Sequence, residues 1–240
     1  MENINNKRFL LVLSIALLMI YFGAGIFFDP SYVVYIKPLI IPTFMVYVVN
    51  TSRKKLSFNY LLFVVLFYAN ETLILFWEDS VPLFWTALVC SFFSYFALIN
   101  LGYKAIKSKA LFAVPKGFSL FILVLNCIFL VAVLYILTTA VNDYILNIII
   151  IFNATIAVFL GATAVTYLGK FGDSKAYFYF FGAFALIFND IFAAIGIYFV
   201  ENIVLNAIDR VLHFIAFYFI YLFILRVPKK ADNLEIDYQP

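Results

Sequence analysis

The chain has 240 residues, of which 66% are hydrophobic and only 12% charged, and its net charge is +3 at neutral pH. A soluble domain carries about 25% charged residues, so this composition excludes water as the main solvent. The small positive balance gives no support to a nucleic-acid partner, because the basic residues sit at the edges of apolar runs, where anionic lipid heads lie.

The apolar runs, taken in chain order, predict transmembrane helices over 9–28, 33–50, 57–76, 81–101, 117–138, 144–168, 176–199 and 211–227. Each has roughly the 17–25 residues that cross a ~30 Å hydrocarbon core. Continuous runs rather than alternation argue against a transmembrane β-barrel. The first run follows Lys7 and Arg8 as a signal peptide would. It is too long for a typical apolar signal region, and no small-residue cleavage site follows before Asp29-Pro30. It reads as a retained helix. Lys37-Pro38 sits near the outer end of the second run with Pro42 one turn further in, which predicts an irregular beginning. Trp77 and Trp85 bracket the junction between the third and fourth runs, as interfacial rings do. Cys90 and Cys127 lie inside spans, so neither a disulfide nor a metal pair is implied, and no cofactor is called for.

Charge in the connections gives the topology. Lys7 and Arg8, then Arg53, Lys54 and Lys55, then Lys104, Lys107, Lys109 and Lys116, then Lys170 and Lys175, then Arg226, Lys229 and Lys230 mark every second connection. Those between carry Asp29, Glu78, Asp79, Asp143, Glu201 and Asp209, with Arg210 alone against the pattern. Cytoplasmic loops hold the excess of Lys and Arg. The reading is therefore an all-α polytopic membrane protein of eight transmembrane helices with both termini cytoplasmic. It forms one domain over 1–230 with a polar tail over 231–240. Richness in Phe, Tyr, Ile and Asn points to a bacterial source, hence the inner (plasma) membrane.

Gly23-Ala24-Gly25, Gly161-Ala162-Thr163-Ala164, Gly182-Ala183 and Ala193-Ala194 read as close-packing faces between helices. Asn70-Glu71 on the third span and Asn189-Asp190 on the seventh form a matching pair four helices apart. The match suggests two parallel four-helix halves.

Lys37, Glu71, Asp190 and His213 are the ionisable groups inside predicted spans. An intramembrane charge costs at least about 2.5 kcal/mol, so such groups face the bundle interior and tend to mark a site or pathway. At 1.5 Å per residue, all of them and Asn153 fall within about 15 Å of the outer surface. Lys37 also fits a snorkelling interfacial lysine, and His213 an interfacial histidine bonded to a carbonyl. Asn70, Asn153 and Asn189 also fit helix-joining hydrogen bonds. Two buried carboxyls suit a hydrolase acid/base pair or the proton site of a transporter, and residue chemistry alone leaves both open.

Tyr35-Ile36-Lys37-Pro38-Leu39 resembles the Lys-Pro-Leu element of the YhhN-like lysoplasmalogenase family, eight-helix membrane proteins of about this length. Asn70-Glu71-Thr72-Leu73 is similar to that family's Gly-Asp-x-x-Leu element. The stretch from Gly182 to Asp190 is similar to its Gly-x-x-x-Phe-x-x-Ser-Asp segment, offset by some residues. Two departures stand out: Glu71 replaces the usual Asp after Asn70 in place of Gly, and His213-Phe214-Ile215-Ala216-Phe217 lacks the family's glutamine. The resemblance implies hydrolysis of the vinyl ether of lysoplasmalogen-type lysophospholipids, with membrane lipids as surroundings. Glu71 and Asp190 would be catalytic, and Lys37, Asn70, Asn153, Asn189 and His213 would bind substrate or water. The alternatives are a proton-coupled transporter or lipid carrier, and a catalytically inactive lipid-binding relative.

Overall fold

The computed structural model describes residues 9, 12, 13, 16, 19, 20, 38–51, 56–76, 80–107, 117–140, 143–198 and 203–225. Most of the first predicted span lies outside these, as do Lys37, Trp77, Glu78, Asp79, Glu201 and the tail. The helices are α1 (Ile40–Thr51), α2 (Phe58–Leu73), α3 (Val81–Lys107), α4 (Phe118–Ala140), α5 (Tyr144–Phe171), α6 (Ser174–Tyr198) and α7 (Ile203–Leu225). Among the described residues, five helices are long and apolar enough to cross a membrane: α2 with its 3-10 extension, α3, α5, α6 and α7. Helix α4 also spans 23 residues, without a charged side chain.

Local chemistry explains where the helices begin and end. Pro38 and Leu39 form a 3-10 turn ahead of α1, and Pro42 sits in the first helical turn, where its missing N–H has no partner to lose. Asp143 caps α5 by accepting from the Ile145 N–H at 2.8 Å and the Leu146 N–H at 3.2 Å. Gly172 ends α5 in the left-handed conformation (φ 56°), donating its N–H to the Leu168 carbonyl. Asp173 then accepts from the Ala176 N–H at 2.8 Å and opens α6. Six threonines, Thr43, Thr72, Thr86, Thr138, Thr155 and Thr163, each donate to the carbonyl four residues back, at 2.8–2.9 Å. A hydroxyl satisfied within its own helix can face hydrocarbon without an orphaned donor.

Helix α7 differs from its predicted range. It begins at Ile203, so Asp209 and Arg210 lie on the helix rather than in a loop, and His213 is more than two turns from its start. Apolar Ile203, Val204, Leu205 and Ile208 carry the added turns. A hydropathy reading stops at the charged pair, whereas backbone hydrogen bonding continues through it. Helix α3 likewise runs past its predicted end and carries Lys104 and Lys107.

Helices α6 and α7 form the most extensive pairing, followed by α2 with α3, then α5 with α3, α6 and α4. Aromatic contacts between α2 and α7 close the ring, notably Phe63 on Phe217 (5.7 Å, stacked). Helix α4 lies outside the ring and α1 leans on α7 and α2. A methyl at Gly182 would come within 2.9 Å of Ile220 and 3.2 Å of its backbone nitrogen, so α6 and α7 approach closely only because that residue lacks a side chain. Tyr95, Tyr179, Tyr221, Phe44, Phe63 and Phe67 are fully buried and fill the interior.

Candidate functional site

The bundle has a basic end, with Lys104, Lys170 and Lys175, and an acidic end, with Asp143 and Asp209. Helices α2 and α6 run toward the acidic end and carry Glu71 and Asp190. Glu71 occupies the last turn of α2, just before the backbone tightens into a 3-10 turn over Ile74–Phe76. It is buried, with 4% of its surface exposed. Asp190 sits two turns from the end of α6 and is partly buried.

Tyr95, midway along α3, ties these helices together. Its hydroxyl donates to Asp190 Oδ2 at 2.7 Å and lies 3.1 Å from the Leu186 carbonyl. Helices α3 and α6 are not close backbone neighbours, so the tyrosine spans the gap between them.

Phe67, one turn before Glu71 on the same face of α2, forms the apolar wall. Its ring lies 6.3 Å from Tyr95, 5.9 Å from His213 and 5.3 Å from Phe217. His213 is fully buried and packs on Phe217 at 5.1 Å. It stands ten residues after the first residue of α7, inside the bundle rather than on its surface.

Asn189 is fully buried and aims its amide at Asp190, with Nδ2 3.4 Å from Oδ1. Its Oδ1 is buried without a hydrogen-bond partner among the described residues, and so is Oδ1 of Asn70. Asn189 lies seven residues beyond Gly182, hence on the α7-facing side of α6. Antiparallel pairing puts it level with the stretch of α7 ending at His213. Asn153 has a different place. Its Nδ2 donates to Leu88 on α3 and Ile149 on its own helix, both at 3.1 Å, so its amide hydrogens join α5 to α3. Lys37 is outside the described residues.

The structure thus joins Asn189, Asp190 and His213 to Tyr95 and Phe67, with Glu71 buried one turn beyond Phe67 on α2, Asn70 next to it in sequence, and Asn153 turned toward Leu88. Sequence reasoning missed Tyr95. One of 17 tyrosines draws no notice, although Ser91, Ser94 and Tyr95 form a polar stripe at helical spacing in an otherwise apolar span. Chemically, the arrangement offers two carboxyls, a phenol already donating to one of them, and buried amide oxygens awaiting donors. Among the described residues no three His, Cys, Asp or Glu side chains gather as a metal ion would need. Comparisons with protein-family models, curated proteins and solved structures return no match.

Proposed function

We propose that this chain is a membrane-embedded hydrolase that cleaves the vinyl ether bond of lysoplasmalogen-type lysophospholipids. It would release a fatty aldehyde and a glycerophospho-alcohol, and would belong with the YhhN-like lysoplasmalogenases that its motifs resemble. In this reading eight helices, arranged as two four-helix halves, span a plasma membrane with both termini cytoplasmic, so the acidic end faces outward. The observation that carries the reading is the Tyr95 hydroxyl, hydrogen-bonded to Asp190 at 2.7 Å beside the Phe67 ring, with buried Glu71 one turn beyond Phe67 on α2.

The chemistry runs as follows. One carboxylic acid transfers its proton to the β-carbon of the enol ether, leaving an oxocarbenium ion. The other group, as carboxylate, stabilises that cation and accepts a proton from the water whose oxygen adds to it. The hemiacetal then breaks its carbon–oxygen bond, the alcohol takes up a proton, and aldehyde leaves. Glu71 and Asp190 divide these roles. Lys37 would hold the lipid phosphate, and Asn70, Asn153, Asn189 and His213 would orient substrate or water.

The test is aldehyde release from purified protein in detergent. Turnover in the parent and its loss in folded Glu71→Gln and Asp190→Asn variants support the reading. Undiminished turnover in both variants overturns it. One feature favours a second reading, proton-coupled transport: the helix carrying Glu71 tightens into a 3-10 turn directly after it, and transporter sites are built at broken helices. Activity confined to sealed vesicles, with no aldehyde in detergent, selects transport.

A further inference from the structure

One hydroxyl hydrogen faces two acceptors between α3 and α6. The Tyr95 hydroxyl oxygen lies 2.7 Å from Asp190 Oδ2 and 3.1 Å from the Leu186 carbonyl oxygen. Leu186 and Asp190 are four residues apart on α6, hence stacked on one face, so a single phenol reaches both. A hydroxyl has one hydrogen to give and two lone pairs to accept with. Joining two helices does not require this doubling. Tyr179 makes the opposite crossing to the Leu98 carbonyl at 2.9 Å, and the residue four beyond Leu98 is Gly102, which has no side chain to offer.

The distances give the resting state. A hydroxyl donating to a carboxylate sits closer than one donating to a neutral carbonyl, so the hydrogen belongs to the shorter contact and Asp190 rests as the acceptor. Its other oxygen faces the Asn189 amide, with Nδ2 3.4 Å from Oδ1. Once Asp190 takes up a proton, the arrangement must invert. The acid becomes a donor, and a buried donor without an acceptor is costly. Tyr95 then accepts from Oδ2 and turns its own hydrogen to the Leu186 carbonyl, which has a lone pair beyond the one used in the helix.

We infer that Tyr95 is a positioning residue that pairs Asp190 in both protonation states, so that Asp190 is the group that takes the proton of water and Glu71 the first acid. This assignment rests on the hydrolase reading above and fills the roles that reading leaves divided. Glu71 gives its proton to the β-carbon. The water oxygen bonds to the oxocarbenium carbon, the ether oxygen recovers its electron pair, and a water proton passes to Asp190. The carbon–oxygen bond of the hemiacetal breaks with its electron pair on the alcohol oxygen, which takes the Asp190 proton. The hemiacetal hydroxyl proton returns Glu71 to the acid form as aldehyde leaves.

Infrared difference spectra of the full chain in detergent, recorded between neutral and acid buffer, test the inversion, with aldehyde release measured alongside. Glu71, His213, Asp143 and Asp209 also titrate toward this end, so the carboxyl band is assigned by its loss in Asp190→Asn and the tyrosine band by its loss in Tyr95→Phe. In the parent, protonation of Asp190 moves the Tyr95 C–O stretch to lower wavenumber, and Asp190→Asn abolishes that movement. In Tyr95→Phe the protonated Asp190 band moves to higher wavenumber, because the acid has lost its acceptor. The same variant lowers kcat about tenfold or more with KM within about twofold, whereas Tyr179→Phe changes neither. A Tyr95 band that stays in place when Asp190 is protonated overturns the inference while the hydrolase reading stands, and so does an unchanged kcat in Tyr95→Phe. Should Tyr95→Phe fail to fold, the tyrosine band in the parent and in Asp190→Asn decides alone. A parent that releases no aldehyde sinks the hydrolase reading and the assignment of roles with it.

Discussion

Two tyrosines cross between α3 and α6 in opposite directions, and their surroundings differ. Near the basic end, Tyr179 of α6 donates to the Leu98 carbonyl of α3 at 2.9 Å. It fits against Gly102, where an added methyl would lie 2.5 Å from its hydroxyl oxygen. Tyr167 and Phe223 pack on its ring at 5.3 and 4.9 Å, and nearby Lys170 donates to the Ile106 carbonyl at 2.8 Å. Near the acidic end, Tyr95 makes the mirror crossing from α3 to α6, but its strongest partner is a carboxylate, and buried amide oxygens nearby lack donors. The same device joins two helices through a backbone carbonyl in one half and through a carboxyl side chain in the other. Buried polar groups are normally satisfied, and Asn59 Nδ2 at the basic end of α2 is without a partner among the described residues as well, so the contrast lies in what each tyrosine bonds: a carbonyl in one half, a carboxyl in the other.

Substitutions at the two crossings separate a joint from a site. The largest effect is expected at the acids. Asp190→Asn and Glu71→Gln each lower aldehyde release by at least about 100-fold, the scale of a lost general acid or base, with thermal unfolding little changed. Next is Gly102→Ala. The new methyl meets the Tyr179 ring, and such overpacking costs about 1–3 kcal/mol, measured as a drop in unfolding temperature in detergent. Third is the tyrosine pair itself. Tyr95→Phe and Tyr179→Phe each lose one interhelical hydrogen bond, about 0.6–1.7 kcal/mol within a membrane. Turnover falls only for Tyr95→Phe, and equal turnover in the two variants breaks the comparison. The smallest is Asp143→Ala, which removes the α5 cap at about 1 kcal/mol, lowers the unfolding temperature and leaves activity unaltered.

Much of the helical plan was legible in residue order. Predicted spans from the third to the seventh agree with α2 to α6 in place, with ends displaced by up to six residues, because long apolar runs admit no other satisfied backbone in lipid. The ends were less legible. Asp209 and Arg210 read as a loop although the helix runs through them, since hydropathy reports solvent preference and not hydrogen bonding. Asn70, Glu71, Asn189 and Asp190 stood out as polar residues in costly places. Tyr95 did not, because a phenol in an aromatic-rich span looks like packing until its polar atom is placed.

Sequence alone determined that the chain is helical, that its helices suit hydrocarbon, and which carboxyls fall within apolar spans, because each of these follows from local composition. The tertiary structure alone decided that Tyr95 donates to Asp190, that Asn153 turns its amide to Leu88, that His213 enters an aromatic nest, and which buried atoms lack partners among the described residues. Those outcomes depend on the rotation and depth of each helix against its neighbours, and such angles are set by side-chain packing across the bundle rather than by order along the chain.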